Sequence, residues 1–246
     1  MNKEEKLTAI VFNSFDYKEK DKVIEIFTLE KGRIKVLLKG VKDNKAKLKA
    51  VGQVFAFGEF HIINTPGFDR VKSADIQENF FNISNDLVNY YSALALFEIV
   101  QNSLDEEQRN ELIFINILKS LSLISNSKID NKIVLSKFIN GVLKISGYKL
   151  NYKTCSECFV NLERKAFFIT SESKFKCQNC KKSYDFSLVS NDLEFLKYLD
   201  KTDTKKLNDD QVIGESVDKI FNLMVNRIEF NFGKKIKTIK MLKRGV

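Results

Sequence analysis

The sequence of 246 residues contains one proline, one histidine and no tryptophan. No segment reaches the roughly 18–20 consecutive apolar residues that a membrane-spanning helix needs, and the N-terminal MNKEEKLTAI has no apolar signal-peptide core. We therefore expect a cytoplasmic protein with no membrane partner. Hydrophobic residues make up 43% of the chain, which is enough to build a folded core and excludes a disordered chain.

The usual signatures of catalysis are also missing. No Gly-rich phosphate loop, G-x-S-x-G elbow or H-E-x-x-H sequence occurs. The single histidine, His61, lies in an apolar predicted strand, which favours a strand-face position over the role of a base or ligand. The acidic pair Asp209-Asp210 lies at a predicted helix start, where acidic residues are common. These observations predict a protein that is not an enzyme.

Positive charge is in excess and is clustered. The chain has 41 basic and 32 acidic residues, a net charge of +9, which favours a polyanionic partner. Residues 31–49 contain eight basic side chains and one acidic one, and residues 234–244 contain six basic side chains and no acidic one. A run of charges is often only a solvated face. The one-sidedness of these two runs nevertheless favours nucleic-acid binding.

Residues 7–76 carry the pattern of a small β-domain. Short, partly alternating, β-branched segments predict five antiparallel strands, and Thr65-Pro66-Gly67 predicts a turn before the fifth. Five such strands in about seventy residues fit a closed barrel, of which the OB-fold is the commonest kind. An SH3-like barrel or half of a β-sandwich also fits this pattern.

The pattern becomes helical near residue 84. Ser84-Asn85-Asp86 is a predicted N-cap, Asp105-Glu106-Glu107 a predicted helix start, and Gly147 a predicted helix end. After the cysteine segment, helices are predicted from Asn191-Asp192 and from Asn208 to about Phe232.

The predicted fold is α+β and multidomain. It comprises an N-terminal five-stranded β-barrel, for which an OB-fold is the leading prediction, a helical body and an inserted four-cysteine module. The predicted domains are the nucleic-acid-binding barrel (1–80), the helical domain (81–150), the four-cysteine module (151–187) and C-terminal helices that pack on the helical domain (188–246).

The four cysteines form two pairs, Cys155/Cys158 and Cys177/Cys180, with the spacing C-x2-C-x18-C-x2-C. This spacing is typical of a tetrahedral zinc site, and a hairpin between the pairs would bring them together. Two disulfides, a dithiol redox site and an iron–sulfur cluster are the alternatives. Disulfides are rare in the cytosol, the redox context is absent, and the spacing matches neither ferredoxin pattern. We predict one structural zinc ion with no open coordination position.

The first basic cluster provides the candidate nucleic-acid contacts. Arg33, Lys35 and Lys39 alternate along a predicted strand and should project from one face. The adjoining loop carries the rest of the candidate set, namely Lys42, Lys45, Lys47 and Lys49. Barrels of this kind bind single strands through a positive groove and stacking aromatics. The candidate stacking residues are Phe15, Tyr17, Phe55 and Phe57, although each type is more often found in a core.

The whole chain resembles the RecO family of bacterial DNA repair proteins. The stretches that carry the resemblance are DYKEKDKVIEIFTLEKGRIKVLLKGVK in the barrel, YYSALALFEI in the first helix, and LSKFINGVLKISGYKLNYKTCSEC leading into the cysteine segment. Their order and spacing, and the total length, agree with the family.

The resemblance implies a recombination mediator of the RecF pathway that binds single- and double-stranded DNA and anneals complementary strands. It implies contacts with RecR and with the C-terminal tail of single-strand binding protein, help in loading RecA, and a place at the nucleoid. The family's DNA contacts would map onto Arg33, Lys35, Lys39 and Lys42. A zinc-containing interaction scaffold for RNA or the transcription machinery is the alternative from another class.

Overall fold

The computed structural model describes residues 4–42, 50–209 and 214–243. The chain forms two compact units, each with its own packing. The first unit consists of Met1–Ser84 and Leu104–Ile115, and the second of Asn85–Ser103 and Asn116–Val246. The segment Leu104–Ile115 therefore packs with the N-terminal strands, although it lies beyond them in sequence.

The first unit is built on one five-stranded sheet. The strands are β1 (Glu4–Tyr17), β2 (Asp21–Thr28), β3 (Gly32–Leu38), β4 (Phe57–Ile63) and β5 (Arg70–Glu78). They close into a barrel, as the alternating sequence pattern predicted, and their order in it is β1-β2-β3-β5-β4. Alternate side chains from these strands, including Ala9, Ile24, Val36, Phe60 and Ile62, fill the interior.

The outer face of β1 and β2 is covered as well. Phe12 and Phe27 are fully buried on it, and the ring of Phe27 lies 5.6 Å from that of Phe114. Gly32 takes a φ of +75°, and a Cβ atom there would lie 2.4 Å from the carbonyl oxygen of Gln108. Only glycine allows this close approach without strain. Residues 104–115 thus form a cover over one side of the barrel.

The connection between β4 and β5 is a turn, as predicted. Gly67 takes a φ of +92°, which suits the position after proline in a type II turn. Beyond the turn, β5 pairs antiparallel with β4 along most of its length but contacts β3 through the single parallel pair Leu37↔Arg70.

The second unit is mainly helical. Its helices are α1 (Leu87–Ser103), the later part of α2 (Glu111–Asn126), α3 (Asn131–Ile145), α4 (Ser190–Lys201), α5 (Gly214–Phe232) and α6 (Lys237–Lys243). Contacts of α3 with α5, α1 with α6, and α4 with α5 build its core. α3 ends at Ile145, two residues before Gly147, and its N-cap Asp130 accepts a hydrogen bond from the backbone of Lys132.

Two predicted helix starts are wrong. α2 begins at Glu111 and not at Asp105, because residues 105–108 run along β3, where the Glu107 N–H donates to the Arg33 carbonyl (3.0 Å). Within the described residues α5 begins at Gly214, and Asn208 lies outside it. The hydroxyl of Tyr198 bonds both the N–H and the carbonyl of Asn208, at 2.8 and 3.1 Å, and so fixes a non-helical backbone there.

A small antiparallel sheet completes the second unit. It contains β6 (Lys165–Ile169), β7 (Lys174–Lys176) and β8 (Phe186–Val189) in the order β7-β6-β8. β6 and β7 form the predicted hairpin between the cysteine pairs, with Phe168 opposite Phe175. β8 follows the second pair directly and leads into α4.

Candidate metal centre and nucleic-acid interface

The two cysteine pairs lie on two tight turns that face each other across the β6–β7 hairpin. In the first turn the Phe159 N–H donates to the Cys155 carbonyl (3.0 Å), and Phe159 has a φ of +62°. In the second, the N–H groups of Cys180 and Lys181 both donate to the Cys177 carbonyl. A hydrogen bond from the Ser156 N–H to the Phe175 carbonyl (2.9 Å) holds the first turn against the hairpin.

The donor set fits one tetrahedral metal ion. The four sulfur atoms lie within 4.8 Å of one another, and Sγ of Cys158 is 3.7 Å from Sγ of Cys177. A tetrahedral zinc ion with bonds of about 2.3 Å would place its sulfur ligands about 3.8 Å apart. All four cysteines are free thiols, so neither pair forms a disulfide. These four residues could therefore bind a metal ion together.

Backbone N–H groups favour the thiolate form, which a metal requires, at Cys155. Burial raises the pKa of the Cys155 thiol, but N–H groups of Cys158, Glu157 and Cys177 outweigh that effect and lower it to about 6. Hydrogen bonds among the thiols, first from Cys158 and Cys177, raise the pKa of Cys180 to about 12. Four thiols this close cannot all ionise without a cation, because like charges repel.

Nearby lysines have partners of their own. Nζ of Lys176 lies 3.4 Å from Glu157 and 3.2 Å from Glu172. Nζ of Lys181 lies 3.9 Å from the centre of the Phe167 ring and 4.8 Å from that of Tyr184. Carboxylates and aromatic rings thus fix the ammonium groups of Lys176 and Lys181 close to the cysteines.

Arg33, the first of the predicted DNA contacts, is buried. Nη1 donates to Glu25 Oε1 (2.7 Å), and Nη2 donates to the Leu104 carbonyl (2.9 Å) beneath the cover formed by residues 104–115. Its side chain is 10% exposed. Strand alternation correctly places Arg33 and Lys35 on the outer face of the barrel. It cannot reveal that a segment 71 residues away in sequence covers Arg33.

Lys35 is exposed but paired. Its Nζ lies 2.8 Å from Glu106, whose own side chain is 63% exposed. The hydrogen bond from Lys35 and its charge lower the pKa of Glu106, and Glu106 in turn raises the pKa of Lys35. The acidic segment Asp105-Glu106-Glu107 thus lies beside β3, where the sequence suggested a free cationic strand.

Lys39 and Lys42 lie just beyond β3. Lys39 is exposed and makes no ion pair among the described residues, whereas Nζ of Lys42 lies 3.2 Å from Asp16. The remaining predicted contacts, Lys45, Lys47 and Lys49, lie outside the described residues. The assignment of this whole set to DNA binding stays a prediction.

The candidate stacking residues divide between core and surface. Phe55 is 1% exposed and has a φ of +75°. The ring centres of Phe57 and Phe114 lie 6.4 Å apart, so Phe55 and Phe57 both pack with the core. Phe15 is 51% exposed. Tyr17 is partly exposed and meets Phe68 edge-on, with 5.9 Å between ring centres. Sequence reasoning missed Phe68, although its position directly after Pro66-Gly67 was a signal that it lies at a turn.

His61 occupies the predicted strand-face position. It lies in β4, its side chain is 42% exposed, and Nε2 is 3.6 Å from Glu59.

Both halves of the chain match models of one protein family. The model described as "Recombination protein O N terminal" matches residues 1–80, and "Recombination protein O C terminal" matches residues 84–239. The chain belongs to the recombination protein O (RecO) family. The first match ends two residues after β5, so it coincides with the strands of the barrel.

Curated relatives of similar length are named "DNA repair protein RecO". The protein of Clostridium novyi is 25% identical over 236 residues, covering 96% of this chain and 92% of that protein. The protein of Caldicellulosiruptor bescii is 28% identical over 234 residues, covering 95% and 96%. That of Clostridium perfringens is 25% identical over 235 residues, covering 96% of both. Membership of the RecO family supports a role in DNA repair.

Among the described residues, no helix combines the length and apolar character needed to cross a bilayer.

Proposed function

We propose that this RecO-family chain is a non-enzymatic recombination mediator whose barrel, an OB-fold, binds DNA. The observation that carries the proposal is the coincidence of the RecO N-terminal match with a closed five-stranded barrel that displays exposed cations. OB-folds bind nucleic acid on the face of strands 2 and 3 and on the loops beside it. Lys39 directly follows β3, and Lys42 lies three residues further along the chain.

The DNA-contacting set is narrower than the sequence suggested. Lys39 and the loop lysines 45, 47 and 49 neutralise phosphates. Lys35 and Lys42 do so when DNA phosphates replace their carboxylate partners, Glu106 and Asp16. Arg33 stabilises the barrel through its ion pair with Glu25, and its side chain, which is 10% exposed, offers little surface to a phosphate.

The metal is one structural zinc ion held by Cys155, Cys158, Cys177 and Cys180. The four cysteine thiolates would join the two turns through a bound zinc ion, and with four protein ligands they would leave no position for water or substrate. Its proposed role is to fold the small β6–β8 sheet.

The protein works in the cytoplasm, on the nucleoid. It anneals complementary strands and, with RecR, assists RecA loading on DNA coated by single-strand binding protein, whose C-terminal tail it contacts. None of these steps needs a nucleophile, a base or a nucleotide, since strand pairing requires only that phosphate charge be neutralised and strands be brought together.

Competition between ligands tests the DNA-binding function. Fluorescence anisotropy would compare a labelled single strand, the matching duplex and a structured RNA of equal length, at several salt concentrations. We expect salt-dependent binding of both DNA forms, weaker binding of the RNA, and no cleavage with Mg²⁺. A preference for structured RNA over single-stranded DNA would instead favour the RNA-associated scaffold.

A further inference from the structure

A cavity of about 420 Å³ opens on the first unit where the β1–β2 turn, the end of β3 and the β4–β5 connection meet. This volume lies within the roughly 300–1,000 Å³ typical of ligand pockets. Its lining residues are Tyr17, Lys18, Leu37, Lys39, Thr65, Pro66, Gly67, Phe68 and Arg70.

Aromatic and apolar groups form the walls of this cavity. Phe68 is 40% exposed, and Tyr17 braces it edge-on, with an angle of 68° between the rings. Leu37 is almost buried and contributes an apolar side chain. Phe68 therefore presents ring surface to the cavity instead of filling the barrel core, which favours a flat, apolar-faced ligand.

Three cations of the barrel that form no ion pair within the described residues lie around the same cavity. Most of its described lysines and arginines form ion pairs, including Lys6, Lys31, Arg33, Lys42 and Lys72.

Lys18, Lys39 and Arg70 have no ion-pair partner within residues 4–42, 50–209 and 214–243, and all three line the cavity. Nζ of Lys18 lies 5.3 Å from the centre of the Tyr17 ring. Nε of Arg70 is buried and has no hydrogen-bond partner in this part of the chain. These three cations have no carboxylate partner and surround an aromatic pocket. This arrangement favours a ligand that carries a negative charge next to a ring.

The β4–β5 connection is fixed before any ligand arrives. The Asp69 carboxylate accepts hydrogen bonds from the Thr65 N–H (3.2 Å) and from Nδ2 of Asn64 (2.9 Å). The Asp69 carbonyl accepts a third bond, from the Leu37 N–H (2.8 Å), which ties the connection to β3. Binding would therefore require little ordering of the loop that carries Phe68.

We propose that this cavity binds an unpaired base of single-stranded DNA, which stacks on Phe68 while Lys18, Lys39 and Arg70 contact the flanking phosphates. The proposal rests on the DNA-binding function proposed for the barrel and assigns a site to it. A base within a duplex is stacked on both faces and cannot enter. The cavity therefore gives the barrel a preference for single strands that its charge alone would not provide.

The test compares Phe68→Leu with Phe81→Leu in the full-length, zinc-loaded protein. Both variants remove an aromatic ring from an exposed position, and Phe81, which is 64% exposed, lies away from the cavity. Anisotropy would measure the affinity of each for a labelled oligothymidine and for a duplex of equal length. We expect Phe68→Leu to weaken single-strand binding about tenfold, to change duplex binding less than twofold, and to leave the salt dependence unaltered. Phe81→Leu should match the wild type.

A second measurement uses the unmodified protein and does not depend on the folding of a variant. An oligonucleotide containing 5-iodouracil is irradiated in the complex, and the cross-linked peptide is identified by mass spectrometry. We expect cross-links to Phe68 or Tyr17.

The outcomes separate this site from the broader function. Cross-links to neither Phe68 nor Tyr17, or an unchanged single-strand affinity of Phe68→Leu, would overturn the cavity assignment. Salt-dependent DNA binding by the wild-type protein would still support the proposed function in that case. If the wild-type protein bound neither DNA form, the proposed function itself would fail.

Discussion

At the scale of single residues, the Arg33–Glu25 ion pair has a structural role. Both side chains are nearly buried, at 10% and 8% exposure, and Glu25 also accepts a hydrogen bond from Asn13 (2.8 Å). Removing one partner of a buried pair leaves the other charge unpaired in a poorly solvated place. We expect Arg33→Ala to lower the free energy of unfolding by about 3 kcal/mol, as measured by urea denaturation.

Lys39→Ala is the control for that prediction. Lys39 is exposed and has no ion pair in the described part of the chain, so its removal should leave the urea midpoint almost unchanged while it weakens DNA binding. If Arg33→Ala proved as stable as Lys39→Ala and lost as much DNA affinity, Arg33 would be a DNA contact after all.

The exposed Lys35–Glu106 pair leads to a different expectation. Glu106 holds Lys35 at 2.8 Å and places negative charge beside β3. Glu106→Gln should free Lys35 for a phosphate and leave the fold intact, because both side chains are largely exposed. We expect tighter DNA binding at low salt. The slope of log affinity against log salt concentration should become steeper by about 0.7 for each added phosphate contact. Unchanged anisotropy titrations would show that the acidic segment does not compete with DNA.

At the scale of secondary-structure elements, the β6–β8 sheet has strands of three to five residues. Sheets this small are rarely stable without a disulfide or a bound metal ion, and the four cysteines supply the ligands for a metal ion. We expect one zinc ion per chain by elemental analysis. Cys158→Ser should lose much of it and lower the melting temperature by about 5 °C or more.

Cys158 suits this test because it is exposed, so its replacement disturbs little packing. Ser156→Ala, in the same turn, should retain the zinc and the melting temperature. Protein purified under reducing conditions that contained neither zinc nor iron would contradict a metal centre.

The sequence predicted elements that depend on local pattern and missed those that depend on distant partners. Alternation gave the barrel strands, Pro66-Gly67 gave a turn, and cysteine spacing gave the metal-ligand candidates. The start of α2 was missed because residues 105–108 bond along β3. The cavity was missed because Tyr17 and Phe68 are far apart in sequence, and only closure of the barrel brings them together.

The end of β3 and the loop that follows it carry a prediction of their own. Lys39 and Lys42 are each expected to contact one phosphate. The double variant Lys39→Ala/Lys42→Ala should therefore reduce the slope of log affinity against log salt concentration for single strands by about 1.4, at about 0.7 per contact. The matched control is Lys234→Ala/Lys237→Ala, which removes two exposed lysines near the C-terminus. Equal losses in both variants would mean that binding reflects general positive charge.

At the scale of the whole molecule, the net charge of +9 and the RecO family match support the central proposal, which stays to be tested. We propose that this chain brings complementary DNA strands together without chemical catalysis. Charge neutralisation lowers the repulsion between strands, and this requires neither ATP nor a metal at an open coordination position. The protein should therefore act stoichiometrically and lose activity as salt rises.

Strand annealing tests this claim most directly. Two complementary oligonucleotides, one carrying a fluorophore and one a quencher, are each coated with single-strand binding protein and mixed with the zinc-loaded chain. We predict that the chain accelerates quenching without nucleotide and that Lys39→Ala/Lys42→Ala slows it at an unchanged melting temperature. Annealing no faster than in the absence of the chain, or annealing that requires ATP hydrolysis, would contradict the account.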